Sequence, residues 1–384
     1  MPWGKPCCKA AALIFGFFLL GFSAAITALW AAPSASRADS TEGGLELEKV
    51  ANLMHDIVAA DREAYAQIVV NRLMIQEKVI RADEHYVENR ALLLPTHFFR
   101  LAAELSAKKN SSAVYALQSF WAIRRQNMPS TELEKIGLAR VLGGTDAFYG
   151  TEGAEGAKYF LAAYPDAATN QACVTCHNNH PESRRQDFAI GDVMGGLVVR
   201  IPLRPGAGQV KGKAGTDGSR PTKMSYQEVA DLVYAITAAN REVYTTLVSD
   251  RLTEKEHVIA TDEHYLERKC LPLAVQLFNV GALLANSKTR TASYALRSAW
   301  PINRGSQPTS QVERAGLAAT AAGKDRFYGI EIHGSVKTLV AVYPDKAVSQ
   351  ECVTCHNKHP NSPRRDFKLG SVMGGVVVRV PMAN

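Results

Sequence analysis

Apolar residues recur at helical spacing from Leu45 to Val87. Val50, Leu53, Ile57, Val58, Tyr65, Ile68, Val69 and Leu73 fall on one stripe, with no Gly or Pro to interrupt it. The pattern predicts one long amphipathic helix, and Tyr226 to Leu266 repeats it. Further helices are predicted near Pro95–Lys108 and Thr131–Leu142. Runs rich in Val, Tyr and Phe at Ala113–Ile123, Ala157–Tyr164 and Leu197–Ile201 predict strands. The economical arrangement of such a set is an α+β domain: a long N-terminal helix and further helices packed on a small antiparallel sheet.

A different pattern heads the chain. Lys5 and Lys9 precede an uncharged apolar run from Ala10 to Ala32. At 1.5 Å per residue that run reaches about 34 Å, enough to cross a hydrocarbon core of about 30 Å. The positive flank predicts that the short amino end stays in the cytoplasm and the rest is exported. Retained anchor and cleaved signal both remain open readings, the run being long for a cleaved signal. Residues 1–44 are therefore expected to be a signal or membrane anchor followed by a tether.

The rest of the chain is duplicated. Asp83-Glu84-His85-Tyr86 recurs 179 residues later as Asp262-Glu263-His264-Tyr265, and Cys173-Val174-Thr175-Cys176-His177-Asn178 recurs at the same offset as Cys352 to Asn357. From Val50 to Leu203 the two copies align without a gap, with roughly half the positions identical. A period this long means two globular domains rather than solenoid repeats of about 20–50 residues. The expected organisation is domain 1 at 45–204, a Gly- and Pro-rich linker at 205–224 and domain 2 at 225–384. Composition agrees: of 384 residues, 46% are hydrophobic and 21% charged, which excludes global disorder. The net charge of +7 is too modest, and too little clustered, to indicate nucleic acid as a partner. Seven cysteines are too few for a disulfide-built scaffold of this length.

Cys-x-x-Cys-His, at Cys173/Cys176/His177 and Cys352/Cys355/His356, is the pattern of covalent haem attachment. Two thiols add to the two haem vinyl groups, and the adjacent His becomes the proximal iron ligand. A thioredoxin-like redox pair, disulfides, or zinc with His180 or His359 as fourth ligand are the rivals. Haem c is assembled outside the cytoplasm, where the leading segment sends this chain, so two independent features agree on two covalent haems.

Tyr115-x-x-x-Ser119-x-Trp121, Tyr164-Pro165-Asp166, Cys-Val-Thr-Cys-His-Asn-x-His-Pro and Asp187-Phe188-x-x-Gly191-Asp192-Val193-Met194-Gly195-Gly196 carry a resemblance. Each copy resembles the bacterial c-type haem domain of PAS-like fold, over nearly its whole length. The resemblance implies a haem protein of the kind found alone or as the extracytoplasmic input of sensor kinases and chemoreceptors. It also admits a thiolate distal ligand, for which Cys270 is the candidate at the second haem only, since copy one has Ala91 there.

Other candidates follow from recurrence. His85 and His264 are candidate distal ligands, expected late in the long helix. Met194 and Met373 are weaker ones, better read as core residues entering a strand. Arg185 and Arg365, beside Arg184 and Arg364, are candidate propionate partners. Trp121, Tyr149 and Tyr164 with their counterparts either line a porphyrin or are core aromatics. His97 and His257, each in one copy only, are expected on the surface. The expected function is a membrane-tethered periplasmic dihaem cytochrome passing electrons between redox partner proteins. The alternative is a redox or small-gas sensor; with the chain ending soon after Val376–Val380, it would signal through a separate partner. A peroxidase-like enzyme would need an acid/base set that only His85 begins to supply.

Overall fold

The computed structural model describes residues 43–153, 158–169, 171–203 and 223–383. The apolar leader, its tether and nearly all of the 205–224 linker lie outside them. Among the described residues no helix is long and apolar enough to cross a membrane.

In the first repeat, helix α1 (Leu47–Tyr65) continues directly as a π-helical stretch, Ala66–Gln76. After it come α2 (Pro95–Lys109), strand β1 (Val114–Gln118), α3 (Glu132–Leu142), β2 (Phe148–Glu152), β3 (Lys158–Ala167), α4 (Gln171–Asn179) and β4 (Val193–Leu203). The strands form one antiparallel sheet in the order β1-β4-β3-β2. Alternation along β4 explains why both faces are covered: Leu197, Val199 and Ile201 join the core against α1, whereas Val198 packs with Leu138 and Val141 of α3. The second repeat follows the same plan with α5 (Tyr226–Tyr244), α6 (Ala274–Lys288), β5 (Ser293–Arg297), α7 (Gln311–Ala321), β6 (Phe327–His333), β7 (Val336–Lys346), α8 (Gln350–Lys358) and β8 (Val372–Pro381). Its sheet order is β6-β7-β8-β5. Mixed helix and small antiparallel sheet in two similar halves is the architecture the periodicity implied.

The long helix is shorter than its pattern. Backbone at Lys78 turns left-handed (φ 54°), and His257, its equivalent, does the same (φ 53°). Beyond it, Asp83-Glu84-His85-Tyr86 is a turn, with Asp83 Oδ1 accepting from the His85 N–H at 2.9 Å. Asp262 and His264 repeat this at 2.8 Å. A short side chain that satisfies its own backbone competes with the helix, and here it wins. His257 is exposed, as expected, and ends its helix at the position Lys78 holds in the first repeat.

The Met-Gly-Gly motif has a packing cause. A Cβ on Gly195 would lie 2.4 Å from the Gln118 carbonyl oxygen on the neighbouring strand, and one on Gly374 would lie 2.5 Å from that of Arg297. Gly195→Ala is expected to cost about 1–3 kcal/mol, read as a lowered urea midpoint at unchanged slope.

The repeats are not separate beads. One apolar core takes Val50, Leu53 and Ile57 from α1, Val229, Leu232 and Ile236 from α5, and residues of both sheets. A second joins Tyr65, Val69, Leu73 and Phe98 to Tyr244, Val248, Leu252 and Leu271. Helix α1 packs on α6, and α2 on α5. Gly44–Glu46 pairs antiparallel with Lys223–Ser225, stitching the starts of the two repeats together. Equivalent residues meet across this junction, as across a two-fold axis: Asn240 Nδ2 donates to Asp61 Oδ2, and these positions are 179 apart.

Candidate haem-attachment sites

Helix α4 carries Cys173, Cys176 and His177, and α8 carries Cys352, Cys355 and His356. Spacings of three and four residues place all three groups of each motif on one helical face. Ser349 caps α8 by accepting from the Cys352 N–H at 3.3 Å. The Asn after each His clamps the loop that follows: Asn178 Nδ2 donates to the Phe188 carbonyl at 2.9 Å, and its Oδ1 accepts from the Phe188 N–H at 3.0 Å. Asn357 does the same with Phe367. The Phe188 ring then meets His177 edge-on at 5.7 Å, and Phe367 meets His356 at 5.6 Å. Below lie Ala168, Val174 and Met194. Met194 and Met373 are therefore core residues beneath the attachment helices, buried in equivalent clusters.

The imidazoles suit an external partner. Nδ1 of His177 and of His356 is buried with no hydrogen-bond partner. Burial pushes both rings below their ordinary pKa, against the opposing pull of Asp166 and Asp345. Each is neutral at pH 7, the form that binds a metal. A buried nitrogen without a partner costs about 1–3 kcal/mol, which a bond made at Nδ1 would offset. Large apolar side chains stand exposed at equivalent positions of the two repeats: Ile190 and Leu369 on the loops after α4 and α8, Val87 and Leu266 just after Tyr86 and Tyr265.

The rivals fit less well. Burial, followed by the Glu84 charge, raises the Cys176 thiol pKa, the opposite of an activated redox thiolate. His180 Nε2 faces Glu84 at 3.5 Å and His359 Nε2 faces Glu263 at 3.4 Å, so both candidate zinc ligands are engaged elsewhere. Among the described residues no group of three or more His, Cys, Asp or Glu is placed to hold a metal ion.

Those Glu contacts bring the Asp-Glu-His-Tyr turn to the attachment helix in each repeat. His85 and His264 stand on these turns, exposed, with Nε2 at 3.7 and 3.8 Å from Glu84 and Glu263. Cys270 is buried in the second core cluster, with Tyr244 and Leu271. Arg185 lies over Trp121 and Phe188, at 4.8 and 4.4 Å, and donates to Asp187 at 2.7 Å. Its equivalent is Arg364, which lies over Trp300 and Phe367 and donates to Asp366. Arg365 aligns with Gln186 and donates to the carbonyls of Asn357 and Pro360. Tyr149 and Tyr164 both donate to Asn52 of α1, and Tyr328 and Tyr343 to Asp231 of α5, so these tyrosines tie sheet to helix.

Two features were missed in the sequence. His97 is buried rather than on the surface, 6.4 Å from the Tyr86 ring, and burial lowers its pKa to about 4. It sits in the first turn of α2, where Gln276 in the other copy caps α6. An ion pair also joins the first helix of each repeat to the strand leading into its motif: Arg62 of α1 with Asp166, and Arg241 of α5 with Asp345 at 2.5 Å. Asp166 acts electrostatically on His177, and Cys173 on Arg62. Recurrence at the common offset was the signal available for that pair.

A family model for Tll0287-like domains matches residues 44–202 and again 221–381. The chain belongs to the Tll0287-like family. It is a c-haem-binding family, and the two matches establish this chain as a tandem of two such domains. No curated protein and no solved structure matches it. Family membership implies a haem group, and the thiols and imidazoles on α4 and α8 fit it.

Proposed function

We propose that this protein is a periplasmic dihaem cytochrome, tethered to the inner membrane by residues 1–44, that relays single electrons between redox partner proteins. The observation carrying the reading is the pair of equivalent attachment helices, each with an orphaned neutral imidazole, built into one shared core. Bound haem c supplies a one-electron couple at each site. Cys173 and Cys176, and Cys352 and Cys355, would hold it by thioethers; His177 and His356 would be proximal ligands. His85 and His264, on turns that reach the attachment helices, are the candidates for the sixth position. A shared core keeps the two sites at constant separation, which a relay needs and a freely linked pair lacks.

The test is expression in a host competent for cytochrome maturation, with intact mass, absorption and EPR spectra recorded with and without CO. The expected result is two covalent haems, both six-coordinate, low-spin and indifferent to CO. Cys352→Ala with Cys355→Ala is expected to leave one haem. A mature protein without covalent haem sinks the proposal. Rapid CO or NO binding by the reduced protein replaces the relay with a gas sensor.

A further inference from the structure

Each repeat reaches into the other with one buried arginine. Arg72 lies in the π-helical stretch of the first repeat and is only 5% exposed. Its guanidinium crosses the junction: Nη2 donates to the Cys270 carbonyl at 2.6 Å, Nη1 reaches the Tyr265 carbonyl at 3.4 Å, and the group lies over the Tyr265 ring at 5.0 Å. Arg251, its equivalent, is 7% exposed and makes the mirror set. Nη2 donates to the Ala91 carbonyl at 2.5 Å, Nη1 to that of Tyr86 at 3.2 Å, and the group lies over the Tyr86 ring at 5.2 Å.

At its own end each arginine is anchored identically. Nε donates to the carbonyl four residues back, Ile68 or Leu247, at 2.9 Å. Nη1 pairs with Glu77 or Glu256, also at 2.9 Å. A planar guanidinium with its donors assigned in this way transmits position, which a lysine ammonium would not. The acceptors are main-chain oxygens, so the contact survives the change from Ala91 to Cys270.

The segments gripped, 86–91 and 265–270, continue the two Asp-Glu-His-Tyr turns. Each turn meets the attachment helix of its own repeat through Glu84–His180 or Glu263–His359. An unbroken chain of contacts therefore runs from Arg251 to the first attachment helix, and from Arg72 to the second.

We propose that Arg72 and Arg251 are cross-repeat positioning residues, each setting the turn beside the opposite repeat's haem, so that the electronic state of one haem depends on the repeat that does not carry it. The proposal rests on the haem reading above and deepens it. Mutual grip also couples the sites: a ligand change that moves one turn loads the arginine of the other repeat.

The experiment uses the full holoprotein, carrying Arg72→Gln or Arg251→Gln. Each haem is assigned in single-haem backgrounds made by replacing the Cys pair of the other repeat with Ala. Haem content, EPR g values and midpoint potentials are the readouts. Arg251→Gln is expected to shift the haem on Cys173/Cys176 and leave that on Cys352/Cys355 in place; Arg72→Gln is expected to do the reverse. Shifts confined to the arginine's own repeat, equal shifts at both haems, or no shift in a folded dihaem protein each overturn the proposal. Should a Gln variant fail to fold, Arg→Lys at the same position, which keeps the charge but loses the fork, is read by the same crossed pattern. Absence of covalent haem in the parent protein would instead defeat the haem reading itself, so the two failures are distinguishable.

Discussion

Asp61→Asn is expected to stabilise the protein at pH 8 by about 4 kcal/mol and to change it little at pH 4. Asp61 lies where the two repeats meet, facing a small pocket lined by Phe98, Asn240, Leu277 and Phe278. Burial raises its pKa from 3.8 to about 7, even though Asn240 and Tyr294 donate to it. The folded carboxyl therefore holds its proton over a range in which the unfolded one has released it. For a raised acid the sign is fixed: stability falls as pH climbs from about 4 to about 7, then levels off. Asn removes the titration and keeps one acceptor oxygen, its NH2 standing where protonated Asp61 would carry its hydroxyl. Urea unfolding of both proteins at pH 4, 6 and 8 gives a difference profile in which other groups cancel, such as Glu351, whose pKa burial also raises to about 7. Parallel pH profiles would refute the assignment. The position also explains a neighbour: a Cβ on Gly281 would lie 2.2 Å from Asp61 Oδ1, so Gly281→Ala would crowd the carboxyl.

Glu134→Ala is expected to lower stability by about 2–4 kcal/mol. Glu134 has no exposed surface, and it is the third residue of α3, closing the capping box that starts it at Thr131. Its two oxygens accept from the Gln118 side chain, the Ser130 N–H and hydroxyl, the Thr131 N–H and the Arg200 guanidinium. Truncation leaves the buried Gln118 amide without its acceptor and uncaps α3, whereas Ser130 and Arg200 still reach water. Glu313 receives Thr309 and Arg379 in the same way, so Glu313→Ala should cost a similar amount. Values below about 1 kcal/mol, measured from urea midpoints, would show that water replaces the lost acceptor.

Local order was legible where local forces decide it. Helix α2 begins at Pro95, whose ring suits a first helical turn, and α3 begins after Thr131, whose hydroxyl caps it. Apolar periodicity overran the end of the first long helix, because periodicity records which face is buried and not whether the backbone can continue. Left-handed Lys78 and the Asp83 turn end the helix through backbone and side-chain bonds to which hydrophobic spacing is blind. His97 illustrates the same limit: its burial depends on the Tyr86 turn folding over α2, a contact remote from its own helix.

The sequence by itself determined that the protein is two copies of one α+β domain, that each copy carries a Cys-x-x-Cys-His motif, and which residues recur with it. These are matters of covalent order and of period, and both can be read along a single chain. Tertiary structure alone decided that the copies share a core, that Asp61 faces Asn240, and that Arg72 and Arg251 each cross to the other repeat. Those contacts join residues 160 or more positions apart. They follow from which apolar faces remain uncovered once each sheet has packed on its own helices, and no local pattern encodes the partner of such a face.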